Sequence, residues 1–186
     1  MYKIMILKED VSVSPGLLSL GVEEAVKQSL CNKVEGKIEP DIGVILSVID
    51  VKEIGEGKIF PEDPNMHCET VFEALVFQPE DQEIVYGVVV DITDIGAFIR
   101  IGPIDGFVHI SQIMNDKIVF DQKNSVLIGK KTKKKLQEGD IVRARIVSVS
   151  LGKEKTKIGL TMRQPMLGSL KWIESEKKEM RKKSKK

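Results

Sequence analysis

The 186 residues are 41% hydrophobic and 31% charged, which excludes a disordered chain and leaves room for one large domain or two small ones. Two cysteines, Cys31 and Cys68, neither in a CxxC pair, exclude a disulfide scaffold and a cysteine zinc site and fit a reducing cytoplasm. The net charge of +1 conceals a divided chain: residues 1–85 carry 7 Lys and Arg against 17 Asp and Glu, whereas residues 86–186 carry 22 against 11. The asymmetry predicts a C-terminal half that faces a polyanion and an acidic half that faces protein or solvent, although two solvated surfaces of different charge would give the same totals.

The N-terminus lacks the apolar core and small-residue cleavage site of a secretory signal, and no apolar run approaches the roughly 20 residues that span a bilayer. A soluble, cytoplasmic protein without a membrane partner is expected. Tyr2 to Leu7 reads as a strand, followed by a loop through Ser12, Ser14, Pro15 and Gly16. Leu18, Val22, Ala25, Val26, Leu30 and Val34 recur at three- and four-residue steps, predicting a helix that stops at Gly36. Ile42 to Val51 is nearly all apolar and β-branched and predicts a central strand, covered on both faces. Gly55, Gly57 and the run PEDPN at 61–65 mark turns, and Val71 to Phe77 forms a further strand. Residues 1–81 thus read as a β-α-β-β domain.

From residue 82 onward short alternating strands punctuated by glycine predict a second domain, at 84–92, 96–101, 105–110, 141–150 and 156–162, with a long insertion at 112–138. The fold class is α+β: a β-α-β-β tip domain followed by a five-stranded antiparallel OB-fold barrel. Leu167 to Glu179 begins as an amphipathic helix, and the basic tail RKKSKK at 181–186 is expected to be disordered.

Period-two alternation separates the two faces of the barrel strands. Ala97, Ile99 and Ile101, Val108 and Ile110, and Val142, Ala144 and Ile146 form the apolar set. The opposite set is Phe98, Arg100, Phe107, His109, Arg143 and Arg145, which are the groups that bind single strands: aromatic faces stack unpaired bases, and guanidinium groups attract phosphate. Phe107 also fits an inward position, because the register near Asp105 and Gly106 is open. The run KKTKKK at 130–135 fits both a phosphate contact and an ordinary solvated loop.

No catalytic constellation emerges. IGKKT at 128–132 departs from a phosphate-binding loop at Asn124 and Lys131. His109 and Ser111 lack a nucleophile-elbow context, and His67 and Cys68 have no further metal ligands at a telling spacing. No cofactor or metal is expected.

The segment GVVVDITDIGAFIRIGPIDGFVHIS from Gly87, with GDIVRARIVSV from Gly139, resembles the RNA-binding domain repeated in ribosomal protein S-one. In that family the aromatic matched by Phe98 and the histidine matched by His109 face RNA. An aromatic and an acidic residue usual in it are replaced here by Ile95 and Ser150, which implies loose, sequence-tolerant binding. The whole chain, with DVKEIGEGKI at 50–59 and LTMRQPMLG at 160–168, resembles the E-prime family of archaeal RNA polymerase subunits, similar to the seventh subunit of eukaryotic polymerases. The resemblance implies a non-catalytic stalk subunit that pairs with the small helical F subunit, docks on the polymerase core and binds nascent single-stranded RNA. Carried over by position, it places Gly55 and Gly57 toward the core and Met166, Leu167, Leu170 and Trp172 against the F subunit. The rival readings are a free-standing OB-fold RNA-binding protein acting in translation or RNA decay, and a nuclease, for which no acid or histidine cluster is found.

Overall fold

The computed structural model describes residues 1–152 and 156–183, with side chains up to Lys178. The chain forms two compact units, one built on Met1–Gln78 and one on Pro79–Ser150 with the C-terminal segment.

The first unit comprises β1 (Tyr2–Val13), α1 (Val22–Val34), β2 (Ile38–Glu39), β3 (Gly43–Ile54), β4 (Lys58–Phe60) and β5 (Asp63–Phe77). The strands form one antiparallel sheet in the order β1-β5-β3-β2, with β4 joined to β5. β1 and β5 pair without interruption from Tyr2 opposite Phe77 to Val13 opposite Met66. β3 is interrupted three times by register shifts, which increase the local twist and let the sheet wrap around a helix. The apolar stripe of α1, Ala25, Val26, Leu30 and Val34, is buried against Val11, Val13, Val48, Phe72, Ala74 and Val76. The fully buried Phe72 is the largest side chain in that core.

The β-α-β-β reading therefore describes the unit, with differences in detail. The helix starts at Val22 rather than Leu18, because a single 3-10 turn at Leu17–Leu20 ends in Gly21 at φ +97°. Its C-terminus is at Val34, with Gly36 at φ +78° just beyond. The central strand is β5, not the Ile42–Val51 segment; β3 has β5 on one side and only the two residues of β2 on the other. β5 also absorbs part of the expected PEDPN turn. Pro64 is accommodated because it lies beyond the last β1 pairing, where its missing N–H is not required.

The second unit contains β6 (Ile84–Ile92), β7 (Gly96–Arg100), β8 (Asp105–His109), β9 (Ile118–Asp121), β10 (Val126–Gly129), β11 (Lys135–Gln137), β12 (Ile141–Ser150), β13 (Lys157–Thr161), β14 (Gly168–Ser169) and α2 (Leu170–Lys183). Strands run β13-β8-β7-β6-β12, and β12 pairs back to β13, closing a five-stranded OB-type barrel. Four of its five pairings are antiparallel; the closing one, Gly159 opposite Phe107, is parallel. The alternation seen in the sequence is obeyed: Ala97, Ile99, Val108, Val142 and Ile146 are completely buried. The insertion after β8 folds into its own sheet, β11-β10-β9, around buried Leu127 and Leu136.

α2 extends to Lys183, further than the expected amphipathic segment, and the last three residues of the basic tail lie outside the described residues. Among the described residues no helix is long and apolar enough to cross a membrane.

Candidate nucleic-acid interface

β7 and β8 carry the candidate surface because their register sets the outward side chains opposite one another. Phe98 faces Phe107, and Arg100 faces Asp105. The two phenyl rings lie 5.1 Å apart at an interplanar angle of 51°, within the range of favourable aromatic pairs. Phe98 is 37% exposed, whereas Phe107 is half-buried beside Gly96; a Cβ at that glycine would come within 2.7 Å of the Phe107 Cζ. Phe107 therefore supports the ring of Phe98 and still contributes an edge to the surface.

His109 ends β8 and is exposed. Its Nδ1 accepts from the Ser111 backbone N–H at 3.3 Å and lies 2.8 Å from the Ser111 hydroxyl. An Nδ1 that accepts from a backbone N–H carries no proton, so the neutral ring presents Nε2–H as a donor. Ser111 thus orients the imidazole.

The six predicted residues do not form one continuous face. Phe98, Phe107, His109 and Arg100 lie together on β7 and β8. Arg143 and Arg145 lie on β12, opposite Tyr86 and Ile84 of β6, several residues along that strand from Asp91, which pairs with Phe98. Arg100 is also neutralised locally: its Nε donates to Asp105 Oδ1 at 2.9 Å and its Nη2 to Oδ2 at 3.3 Å. Arg143 lies 5.0 Å from the Tyr86 ring centroid, donates to the Tyr86 hydroxyl at 2.6 Å and also donates to the Met166 carbonyl at 3.4 Å. The guanidinium thus rests on an exposed tyrosine that sequence reasoning missed, because Tyr86 sits among valines and isoleucines in β6 and only the register sets it beside an arginine.

The lysine run at 130–135 forms the turn between β10 and β11. Asp116 holds it: Oδ2 accepts from the Lys131 and Thr132 backbone N–H groups at 2.8 Å each and from the Thr132 hydroxyl at 2.9 Å. These donors, the Thr132 N–H foremost, hold the Asp116 carboxyl below its ordinary range. A lowered folded-state value means that the ionised carboxylate stabilises the fold above the ordinary aspartate pKa of about 3.9 and that this contribution disappears as pH falls through the lowered value. Asp116→Ala is accordingly expected to lower the thermal unfolding midpoint at pH 7, with the difference from the parent chain closing at an acid pH below that lowered value. A gap of equal size at both pH values would remove the carboxylate from this role.

The remaining predicted positions are dispersed. Gly55 and Gly57 flank the β3–β4 connection; Gly55 N–H donates to the Glu69 carbonyl at 2.8 Å, and a Cβ at Gly57 would come within 2.7 Å of the Met66 sulfur. Met166, Leu167, Leu170 and Trp172 are each half-buried. Much of the Trp172 cover is intradomain: its Nε1 donates to the Lys135 carbonyl at 3.1 Å and Lys134 Nζ lies 5.5 Å from the ring centroid. His67 Nε2 lies 2.7 Å from Asp63, Cys68 is buried beside Thr70, and among the described residues no group of three His, Cys, Asp or Glu side chains is placed to hold a metal.

A closed five-stranded barrel with an aromatic pair and a histidine on its second and third strands is an OB-fold of the S1 type, and the S1 RNA binding domain family matches residues 78–152. The SHS2 domain found in the N terminus of Rpb7p/Rpc25p/MJ0397 matches residues 8–64. The chain is 38% identical to DNA-directed RNA polymerase subunit Rpo7 of Sulfolobus acidocaldarius, over 95% of this chain and 97% of that one. It is 37% identical to Rpo7 of Saccharolobus shibatae over 96% and 100% of the two chains, and 30% identical to DNA-directed RNA polymerase II subunit RPB7 of Saccharomyces cerevisiae over 58% and 64%. The chain belongs to the family of DNA-directed RNA polymerase subunit Rpo7.

Proposed function

We propose that the β7–β8 face of this polymerase subunit binds nascent single-stranded RNA, with Phe98 stacking a base, Phe107 supporting it and His109 donating to the RNA through Nε2–H. The subunit itself is non-catalytic within the polymerase. The observation that carries the proposal is the exposed Phe98 ring packed on Phe107 beside an imidazole whose donor nitrogen faces outward from its Ser111 anchor. An aromatic face stacks any base, so the site suits a transcript of arbitrary sequence. Arg100 contributes little net charge because Asp105 balances it; Arg143, Arg145 and the lysine turn supply the longer-range attraction to phosphate.

The first unit is assigned to docking on the polymerase core, with Gly55 and Gly57 permitting close backbone approach. Met166, Leu167, Leu170 and Trp172 are assigned to the small helical F subunit, whose helices would complete their cover. In this arrangement the pair forms a stalk in the cytoplasm, and attachment supplies effective concentration, so weak affinity for RNA suffices. A free-standing RNA-binding protein would have no use for the first unit, and the relatives matched over nearly the full chain favour the polymerase reading.

Tagged protein purified from its native extract is expected to bring down polymerase core and one small helical protein, and to crosslink to transcript in elongation complexes. Recovery of ribosomes or a degradation complex in place of polymerase would reverse the assignment.

A further inference from the structure

We propose that a hollow beside the aromatic platform, formed by β12, β13 and the turn after β8, is a phosphate-binding site for the backbone of the same RNA strand. The proposal rests on the RNA reading above and names a part of the site that the β7–β8 face does not contain.

The hollow measures about 320 Å³, at the lower end of the roughly 300–1,000 Å³ typical of ligand sites. Two guanidinium groups, Arg145 and Arg163, line it with three side-chain amides, Gln82, Gln112 and Gln164, and the Thr161 hydroxyl. No carboxylate does so among the described residues. Two cations sharing one depression without a counter-charge repel each other, and the arrangement is relieved by an anion.

The hydrogen bonds already made leave the correct groups unused. Thr161 Oγ1 donates to Gln112 Oε1 at 2.9 Å, so the Gln112 amide has its acceptor engaged and its NH₂ remaining as donor. Arg163 uses Nη2 on Asn115 Oδ1 at 2.7 Å and retains its other N–H groups. The Arg145 side chain makes no hydrogen bond or ion pair among the described residues, and its buried Nε is without a partner. The unused groups are thus mostly N–H donors, two of them on guanidinium cations, with no carboxylate among them, which suits a phosphodiester oxygen and not a cation.

Barrel closure connects the hollow to the platform. Arg145 pairs with Thr161 across β12 and β13, and Gly159, two residues earlier, pairs in parallel with Phe107. Two residues further along β8 is His109, and Gln112 follows in the 3-10 turn Ile110–Gln112. A strand stacked on Phe98 and running past His109 therefore meets Arg145 and Arg163 within a nucleotide or two, on the opposite side of the platform from Tyr86. Gln82 lines the hollow with φ +67°, a conformation unusual for a residue with a side chain and one that accumulates at functional surfaces.

The test is the salt dependence of oligouridine binding to the full-length chain. Each phosphate contact to a single strand contributes a slope of about −0.7 in log K against log salt. Arg145→Gln and Arg163→Gln are each expected to weaken binding roughly tenfold and make the slope shallower by about 0.7. Arg145→Lys should restore the slope, and Phe98→Ala should weaken binding at unchanged slope. Thermal unfolding of each variant confirms that the barrel is intact. If both glutamine variants keep the parental slope while Phe98→Ala still weakens binding, the hollow is overturned and the platform stands. If the parent chain itself shows no binding to oligouridine, the RNA reading fails and the hollow with it.

Discussion

Phe98→Ala is expected to lower affinity for single-stranded RNA by about 1–3 kcal/mol, roughly 5- to 150-fold, because it removes the exposed stacking face of the platform. His109→Ala should remove about a further 1 kcal/mol, the value of one hydrogen bond in water-exposed surroundings. Fluorescence anisotropy with a labelled single strand measures both. The contrast with Arg100→Ala is informative, since its guanidinium already forms two hydrogen bonds to Asp105 and its removal should change affinity far less than the charge count suggests. If Phe98→Ala and His109→Ala bind as the parent does, RNA contacts lie elsewhere on the barrel.

The largest expected effect on stability comes from a position that touches no RNA. At Gly96, which opens β7, a Cβ would stand 2.1 Å from the Val108 carbonyl oxygen and 2.7 Å from the Phe107 ring. The first neighbour is backbone and cannot turn aside, so the β7–β8 pairing must separate for an alanine to enter. Gly96→Ala should therefore destabilise the second unit by about 3 kcal/mol or more, read as a lower urea midpoint for barrel unfolding. The same shift displaces Phe107 from beneath Phe98, so RNA affinity should fall in molecules that remain folded. A midpoint within experimental scatter of the parent would show that the hairpin relaxes freely and that Phe107 is not held by this contact.

The elements legible in the sequence are those whose pattern is local. Alternation assigned Ala97, Ile99, Val108, Val142, Ala144 and Ile146 to the core because each strand presents one face to it, and all six are buried. The α1 stripe was equally plain, while the Leu18 start was misplaced because leucines at 17, 18 and 20 continue the apolar spacing across Gly21. β1 runs on to Val13 through Asp10 and Ser12, polar residues that alternate with the buried Val11 and Val13, so its second half reads as loop. The three strands of the insertion were hidden for a related reason: each is short, and the lysines of 130–135 obscure the single buried Leu136 of β11.

What joins distant segments could not be read. The pairing of Gly159 with Phe107 closes the barrel across more than fifty residues and sets Arg145, Thr161 and Gln112 together, although nothing in the spacing of these residues connects them. Arg143 and Arg145, two apart on β12, were grouped with Phe98 by alternation alone. Their partners, Tyr86 for one and the hollow at Thr161 for the other, depend on which strands flank β12.

That closing strand also dictates an order of events during synthesis. The sheet of the first unit is complete once Phe77, the residue opposite Tyr2, has left the ribosome, and its long β1–β5 ladder can form at once. The barrel must wait for β13, roughly 80 residues later, which at about 5–20 residues per second is an interval on the order of 4–16 s. Once β8 has emerged, the edge that β13 will cover stays open, and the matching edge of β12 joins it after residue 150. The nascent chain thus carries a finished, acidic module ahead of an unfinished, sticky one, and chaperone dependence should concentrate in the period before residue 161 emerges.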